Sequence, residues 1–238
     1  MPGLGTIINV AAILLGGLLG LSCGRLLKKE SQDTLCKACG VCTLFLGIAG
    51  AMEGMLSISD GKIASGHSML VILCLALGSL LGELLRLEDR FEGLGVWLRE
   101  KTGSAKDTRF VDAFVTASLT VCIGAMAIVG SIQDGINHDP SVLAAKAVLD
   151  LIIIMVMTGS MGKGCIFSAL PVAVLQGGIT ALSGLLRPLL TGSAMANLSL
   201  VGSVLIFCVG VNLVWGKQLK VANMLPSVLF AVLAALAG

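Results

Sequence analysis

The chain has 238 residues, of which 56% are hydrophobic and only 13% are charged, and its mean hydropathy is +0.99. A soluble domain of this length does not need so much apolar sequence, so the composition indicates an all-α membrane protein whose partner is the lipid bilayer. The net charge of +2 and the lack of a basic tract mixed with aromatic residues argue against a nucleic-acid partner.

Eight apolar segments follow one another along the chain, and the last is the shortest. A helix that crosses a bilayer needs about 20 residues, a length that these segments reach or approach. They cover residues 5–27, 36–56, 67–87, 108–132, 141–161, 165–186, 198–216 and 221–238. We therefore expect one polytopic domain over residues 1–238, with about eight transmembrane helices.

Lysines and arginines are concentrated in alternate loops between these segments. Thirteen belong to one set of loops, only Lys62 and Arg187 belong to the other set, and Lys146 lies within a span. Because cytoplasmic loops carry the excess of Lys and Arg, this distribution predicts eight spans with both termini outside the cytoplasm.

The longest loop, about residues 84–109, has apolar residues at helical spacing with charged residues between them. This pattern predicts an amphipathic helix on the cytoplasmic surface of the membrane. A continuation of the third span, packed on its neighbours, explains the pattern equally well. The apolar positions are Leu84, Leu87, Phe91, Leu94, Trp97 and Leu98.

The sequence also contains an internal repeat. LGGLLG at 15–20 matches LGSLLG at 77–82 and, more loosely, QGGITA at 176–181. Residues 5–88, spans one to three, can be laid over residues 165–238, spans six to eight. Under the predicted topology these are 3+3 inverted repeats around a central helix, an architecture that many transporters share. The alternative is that glycine-rich spans resemble one another only because small residues favour helix packing.

The fifth span carries two charged residues. Asp139 suits a helix N-cap and Pro140 a first helical turn, so we expect a helix over 141–161. Lys146 and Asp150 are four apart and share a face, with Asp150 near the bilayer midplane. Charges inside a span are costly and are usually paired or functional. Either they form a structural ion pair, or Asp150 binds a cation or proton while Lys146 attracts an anion or neutralises the aspartate.

Other polar residues and helix breakers extend the candidate pathway. Asp112 and Thr116 begin a polar stripe that either packs between helices or lines a water-filled route, whereas Gln133 and Asp134 are expected at the membrane interface. Pro171 favours a distortion one turn before Gln176, with a plain kink as the alternative. The predicted pathway residues are Lys146, Asp150, Asn9, Gln176, Asn223, Asp112 and Thr116. The predicted helix breaks are Gly16, Gly17, Pro171, Gly177, Gly178 and Pro226.

Motifs for catalysis or metal binding are not evident. Cys36, Cys39 and Cys42 resemble part of an iron–sulfur pattern but lack the next ligand, so we interpret them as packing residues. His67 and His138 are isolated. The sequence shows no nucleophile elbow, phosphate-binding glycine loop or pair of catalytic carboxylates. We therefore expect no metal, no cofactor and no enzymatic activity.

Three motifs are similar to those of a known family. They are GTIIN at 5–9 followed by LLGGLLG at 14–20, DPS at 139–141 with Lys146 and Asp150, and NMLP at 223–226. They resemble the bacterial integral membrane proteins catalogued as domain of unknown function 554, and the resemblance covers essentially the whole chain. It implies a multi-pass protein of the bacterial inner membrane with a suspected transport role, and it supplies no catalytic residues.

Together these features predict a homo-oligomeric channel or carrier for a small ion or charged solute. A small anion is preferred because Lys146 and exposed helix N-termini carry positive charge. The alternative is a non-transporting membrane scaffold or assembly factor, whose buried charges serve only packing.

Overall fold

The computed structural model describes residues 3–24, 28–59, 62–105, 107–189 and 191–237. Arg25 and Lys106, which contribute to the predicted charge asymmetry, lie outside these residues. The chain is predominantly α-helical, as predicted, and a short antiparallel hairpin of β1 (Leu56–Ser59) and β2 (Lys62–Ser65) is an addition that the sequence analysis did not predict. The helices are α1 (Leu4–Gly24), α2 (Lys29–Met55), α3 (Ser68–Leu85), α4 (Leu87–Lys101), α5 (Phe110–Cys122), α6 (Ala125–Asn137), α7 (Ser141–Met161), α8 (Ala169–Ala181), α9 (Ser183–Leu186), α10 (Gly192–Trp215), α11 (Val221–Met224) and α12 (Ser227–Ala237).

Within the described residues, six helical segments are long and apolar enough to cross a membrane. A seventh crossing results if α5 and α6, which meet at 62°, form one bent span. The last apolar segment is a shorter helical stretch, Val221–Leu236, so eight spans remain a prediction. The six segments are Leu4–Gly24, Glu30–Met55, Ser68–Leu85, Ser141–Met161, Lys163–Ala181 and Gly192–Trp215.

Helix α7 has the predicted limits, but its N-cap is Pro140 instead of the predicted Asp139, and Asp139 lies one residue before the cap. The backbone N–H of Ser141 donates to Oδ1 of Asp139 at 3.0 Å. This bond stabilises the exposed carboxylate and holds the pKa of Asp139 below its ordinary value. At the other end, Gly162 has φ 100°, a conformation that L side chains rarely adopt, and the helix stops at Met161.

The chain divides into two compact units. The first unit comprises Met1–Cys39 and Asp89–Leu186, and the second comprises Gly40–Glu88 and Arg187–Gly238. The first unit therefore contains α1, most of α4, and α5 to α9. The second contains most of α2, the hairpin, α3, and α10 to α12.

In the first unit, α1 and α7 pack closely along most of their length. A side chain at any of several α1 glycines would collide with α7, so the absence of a side chain permits this approach. Successive contacts advance in the same direction along both helices, so the two helices are parallel. The contacts pair Gly5 with Leu143, Gly16 with Leu151, Gly20 with Met155, and Gly24 with Gly159.

At most of the predicted helix breaks the helix is continuous in the structure. Helix α1 continues through Gly16 and Gly17, and α8 continues through Gly177 and Gly178. Gly16 and Gly17 instead let α1 approach Leu151 and Ile166, respectively. Of the predicted breaks in α1, α8 and the last segment, only the one at Pro226 separates two described helices, α11 and α12.

Pro171 lies in the first turn of α8 and does not divide that helix. Its missing N–H would have bonded to the carbonyl of Phe167. The distortion lies before the proline, where Lys163–Ser168 forms a 3-10 helix that leads directly into α8.

The fourth apolar segment is broken, which the sequence analysis did not predict. Helix α5 ends at Cys122, Ile123 is extended, and α6 begins after Gly124. Gly124 has φ 145°, which glycine adopts without the steric cost that a side chain imposes. This segment is therefore a discontinuous helix.

The segment at 84–109 forms a separate helix, α4. Arg86 has φ 51° and ends α3, so α4 is not the continuous extension of the third span that was one of the two alternatives. Gly95 faces Val111 and Phe114, and Leu98 is buried. The placement of α4 on the membrane surface stays a prediction.

In the second unit, α2 and α10 are antiparallel and in close contact through glycines. Moving forward along α2 corresponds to moving backward along α10. Helix α3 packs in the same antiparallel way on α11 and α12, with Gly82 against Asn223 and Gly78 against Ser227. The α2–α10 contacts pair Gly40 with Leu213, Leu44 with Gly210, Gly47 with Phe207, and Gly54 with Leu200.

Candidate functional site

An ion pair lies in the interior of the first unit. Nζ of Lys146 is 2.7 Å from both Oδ1 and Oδ2 of Asp150. Nδ2 of Asn9 donates to Oδ2 of the same carboxylate at 3.0 Å. The exposed fractions of Lys146, Asp150 and Asn9 are 7%, 2% and 0%. Three of the predicted pathway residues are therefore brought together as one buried cluster.

The fold explains this cluster directly. Lys146 and Asp150 are one turn apart on α7, so both project from the same face. The parallel packing of α1 on α7, made close by glycines, brings Asn9 to that face from the neighbouring helix. A charged hydrogen-bonded pair in a low-dielectric interior is strong, but its desolvation cost is of similar size.

The break between α5 and α6 lies beside this cluster. Cys122 is the last residue of α5, and its thiol lies close enough to Lys146 and Asp150 to interact with both charges. Helices α5 and α7 are also in contact. In membrane proteins, interrupted helices are tolerated where they are buried in protein or line a water-filled cavity.

Asp134 is a functional candidate that the sequence analysis missed. It was expected at the membrane interface, but its side chain on α6 is completely buried. Oδ2 accepts a 2.9 Å hydrogen bond from the backbone N–H of Gly5, in the first turn of α1. Its other oxygen, Oδ1, has no hydrogen-bond partner in the part of the chain that the structure describes.

Gln176 is fully enclosed as well, with an exposed fraction of 1%. Within the described residues, neither the oxygen nor the nitrogen of its amide has a hydrogen-bond partner. One turn later on α8, Oγ1 of Thr180 donates to the carbonyl of Ser131 at 3.1 Å, which ties α8 to α6. A buried amide without partners costs several kcal/mol in an apolar medium.

Two predicted pathway residues on α5 have ordinary surroundings. Asp112 is exposed in the first turn of the helix, where a carboxylate complements the helix dipole. Thr116 is half-buried, and its carbonyl accepts the hydroxyl of Thr120 at 2.8 Å. The hydroxyl of Thr120 is thus satisfied within its own helix.

Asn223 belongs to the second unit, and both ends of its amide are bonded there. Its Oδ1 accepts from the backbone N–H of Glu88 at 2.7 Å, and its Nδ2 donates to Glu83. Glu88 is itself buried and is paired with Lys217 at 3.0 Å, while Lys220 pairs with Glu83 at 3.0 Å. These bonds fix the α10–α11 connection to the end of α3 and the start of α4, and a pathway role for Asn223 stays a prediction.

A cavity of about 400 Å³ lies at the C-terminal ends of α1 and α7 in the first unit. Its lining includes Gly24, Gln32, Asp107, Arg109 and Thr158. Eight residues of α7 separate Thr158 from Asp150, a rise of about 12 Å.

Two apolar side chains occupy the interval between this cavity and the ion pair. Ile13 is one turn beyond Asn9 on α1, and Ile154 is one turn beyond Asp150 on α7. Both are completely buried. The ion pair is therefore separated from the cavity by an apolar layer.

Comparisons with known proteins agree with the membrane-like fold. The family model described as "Protein of unknown function (DUF554)" matches residues 4–236. The chain is 29% identical over 225 residues to "Uncharacterized membrane protein YdfK" of Bacillus subtilis (strain 168), covering 94% of this chain and 92% of that protein. It is 28% identical over 236 residues to "Uncharacterized protein YqgA" of Escherichia coli (strain K12), covering 96% and 94%. No solved structure matches the chain.

Proposed function

Since the chain belongs to the DUF554 family, and one matched relative is named a membrane protein, we propose that this multi-pass membrane protein transports a small ion or a small charged solute. The observation that carries this proposal is the buried cluster of Lys146, Asp150 and Asn9 beside a discontinuous helix. Ionisable residues within membrane spans are expensive and commonly mark transport pathways.

The sign of the transported charge follows less directly. Lys146 was the main reason to prefer an anion, but its ammonium group is bonded to both oxygens of Asp150. Little of its charge is therefore free to attract an anion. The proposal accordingly covers small ions and charged solutes of either sign.

A gated carrier fits the geometry better than a permanently open pore. The ion pair is buried, and the apolar layer of Ile13 and Ile154 separates it from the cavity. Access to the pair then requires a movement, and the break at Ile123 and Gly124 supplies a joint in an adjacent segment.

The helix pairings support the proposed 3+3 inverted repeat. The segments that the repeat makes equivalent are spans one and six, two and seven, and three and eight. Each such pair is in contact within one unit: α1 with α8, α2 with α10, and α3 with α12. The α2–α10 and α3–α12 pairs are antiparallel, as a twofold axis in the membrane plane requires.

We also propose that the protein lies in the bacterial inner membrane with both termini outside the cytoplasm. The concentration of Lys and Arg in alternate loops supports this orientation. The parallel packing of α1 and α7 supports the count of crossings, because it requires an odd number of crossings between them. Helices α2 and α3, with α5 and α6 counted as one bent crossing, supply three.

This topology predicts opposite results for two reporter fusions in Escherichia coli. Alkaline phosphatase fused after Ser65, following the hairpin, is expected to be active because that loop faces the periplasm. Fused after Gln218, in the α10–α11 connection, it is expected to be inactive, whereas green fluorescent protein fused there is expected to fluoresce. Reversed activities at the two sites would contradict the orientation.

Transport is tested by measuring flux after reconstitution of the purified protein into liposomes. The solutes to screen are chloride, short carboxylates, sodium, potassium and protons. We expect selective flux in the unmodified protein and at least a tenfold loss in Asp150→Asn, which removes the charge that Lys146 binds. Asp139→Asn is the matched control, because Asp139 is exposed and outside the cluster.

A non-transporting scaffold is the second candidate. The observation that favours it is the pairing of Lys146, whose contacts to both carboxylate oxygens need no solute to balance its charge. Absence of flux across the whole solute panel, from protein that remains folded, would support the scaffold and contradict the transport proposal.

A further inference from the structure

Three oxygen atoms around the beginning of α1 have no hydrogen-bond partner among the described residues. They are Oγ1 of Thr6, Oδ1 of Asn9 and Oδ1 of Asp134, and all three belong to buried side chains. Thr6 and Asn9 are three residues apart on one helix face, where side chains are neighbours at about 5–6 Å between Cβ atoms.

Asp134 is joined to the same turn of α1. Its Oδ2 accepts the N–H of Gly5, the residue before Thr6, at 2.9 Å. This bond orients the carboxylate toward the start of the helix and leaves Oδ1 as the unbonded oxygen. The three oxygens therefore come from two helices, α1 and α6, at one level of the first unit.

The buried charges of this unit do not balance. Among its described residues, the buried charged side chains are Lys146, Asp150 and Asp134. Lys146 and Asp150 neutralise each other at 2.7 Å, so the charge of Asp134 is left without a counter-ion. The Gly5 N–H and the partial positive charge at the helix N-terminus offset only part of it. No other buried side chain among the described residues of this unit supplies a positive charge.

We propose that Asp134, Thr6 and Asn9 form a binding site for one monovalent metal cation. Carboxylate, hydroxyl and amide oxygens are the ligand atoms that hard cations prefer. A single positive charge balances the carboxylate, whereas a divalent ion would leave an excess. A cation would also supply a partner for the oxygens of Thr6 and Asn9.

The site is also linked to the ion pair. Asn9 donates through Nδ2 to Asp150 and would offer Oδ1 to the cation, so one side chain contacts both centres. Occupation of the cation site thus fixes the orientation of the amide that bonds to Asp150. Binding at this site does not depend on the proposed transport function.

The test is binding of sodium to the purified protein in detergent, with choline chloride holding the ionic strength constant. We expect a saturable rise of Tm with sodium concentration, because a ligand that binds only the folded state stabilises it. Equilibrium binding of radioactive sodium should saturate at one ion per chain. Lithium and potassium are measured in parallel to establish the size preference.

The variants separate the site from general effects. Asp134→Asn should abolish the sodium-dependent rise of Tm, and Thr6→Val should weaken sodium binding at least tenfold while Thr6→Ser retains it. Asp139→Asn, which removes an exposed carboxylate from the next connection, should leave sodium binding unchanged.

Three results would each overturn the proposal. One is the same stability in sodium, lithium, potassium and choline, which would mean that only water fills the site. Another is an equal sodium response in folded Thr6→Val and in the unmodified protein. The third is an undiminished sodium-dependent rise of Tm in folded Asp134→Asn, which would place the sodium elsewhere. Because binding is measured without flux, failure of transport does not affect this test.

Discussion

Lys146→Met alone is expected to destabilise the protein by about 3–5 kcal/mol, because it leaves the buried carboxylate of Asp150 without its counter-ion. The double substitution Lys146→Met with Asp150→Leu removes both charges and is expected to recover most of that loss. The measurement is the free energy of unfolding in detergent micelles for Lys146→Met, for Asp150→Leu and for the double variant. Lys62→Met, at an exposed lysine of the hairpin, is the control and should change stability little.

The double variant also separates the two candidate functions. If the cluster serves only packing, the double variant should fold and retain every function of the protein. If the cluster is part of a transport pathway, the double variant should fold but show no flux. A double variant less stable than Lys146→Met alone would contradict the assignment of Asp150 as the group that Lys146 neutralises.

Gly16→Ala and Gly178→Ala are expected to change stability in opposite directions, although both replace a glycine within an apolar helix by the same residue. A methyl group at Gly16 would overlap the backbone carbonyl of Leu151, which cannot move without separating α1 from α7. Such overpacking typically costs about 1–3 kcal/mol. At Gly178 nothing lies within 4 Å of the added methyl, and a better helix former there should stabilise by up to about 1 kcal/mol.

Thermal unfolding of the two variants, measured under the same detergent conditions, distinguishes these outcomes. Separation of α1 from α7 would also move Asn9 away from Asp150, so Gly16→Ala should impair any activity that needs the cluster. Equal Tm values for the two variants would show that the close approach at Gly16 is not needed for stability.

Local chemistry was sufficient to predict several parts of this fold. The apolar segments, the limits of α7 at residues 141 and 161, and the pairing of Lys146 with Asp150 follow from composition, caps and helical periodicity. Each of these depends on residues close together in the chain. The polarity of Asn9 was enough to suggest a functional role. Its bond to Asp150 could be identified only from the contact between α1 and α7.

Features that depend on contacts between distant segments were not predictable in the same way. The glycines of α1 were predicted to be helix breaks. Glycine occurs both where a helix breaks and where two helices pack closely, and the sequence alone does not distinguish the two. Asp134 was predicted to lie at the membrane interface. It is buried only because α1 lies over the end of α6, which the sequence does not show. The break after Cys122 had a single sequence signal, Gly124, among many glycines that break nothing.

Asn223 illustrates a different difficulty. Its position before Pro226, at the start of an apolar segment, was compatible with a pathway residue. In the structure its amide is bonded to Glu83 and to the backbone of Glu88, which lie far away in the sequence. A buried amide is equally suited to hold a loop or a solute, and only its bonded neighbours distinguish these roles.

Each of the two units is built from two separate stretches of the chain. This determines the order in which the protein can assemble during synthesis. Helix α1 ends at residue 24, but its main partner, α7, begins only at residue 141. At translation rates of about 5–20 residues per second, roughly 5 to 25 s pass between the two. During that interval Asn9 and the glycine face of α1 are held against lipid or the insertion machinery. The first unit can close once Leu186 has emerged from the ribosome, and the second, which also needs the last part of the chain, closes after it.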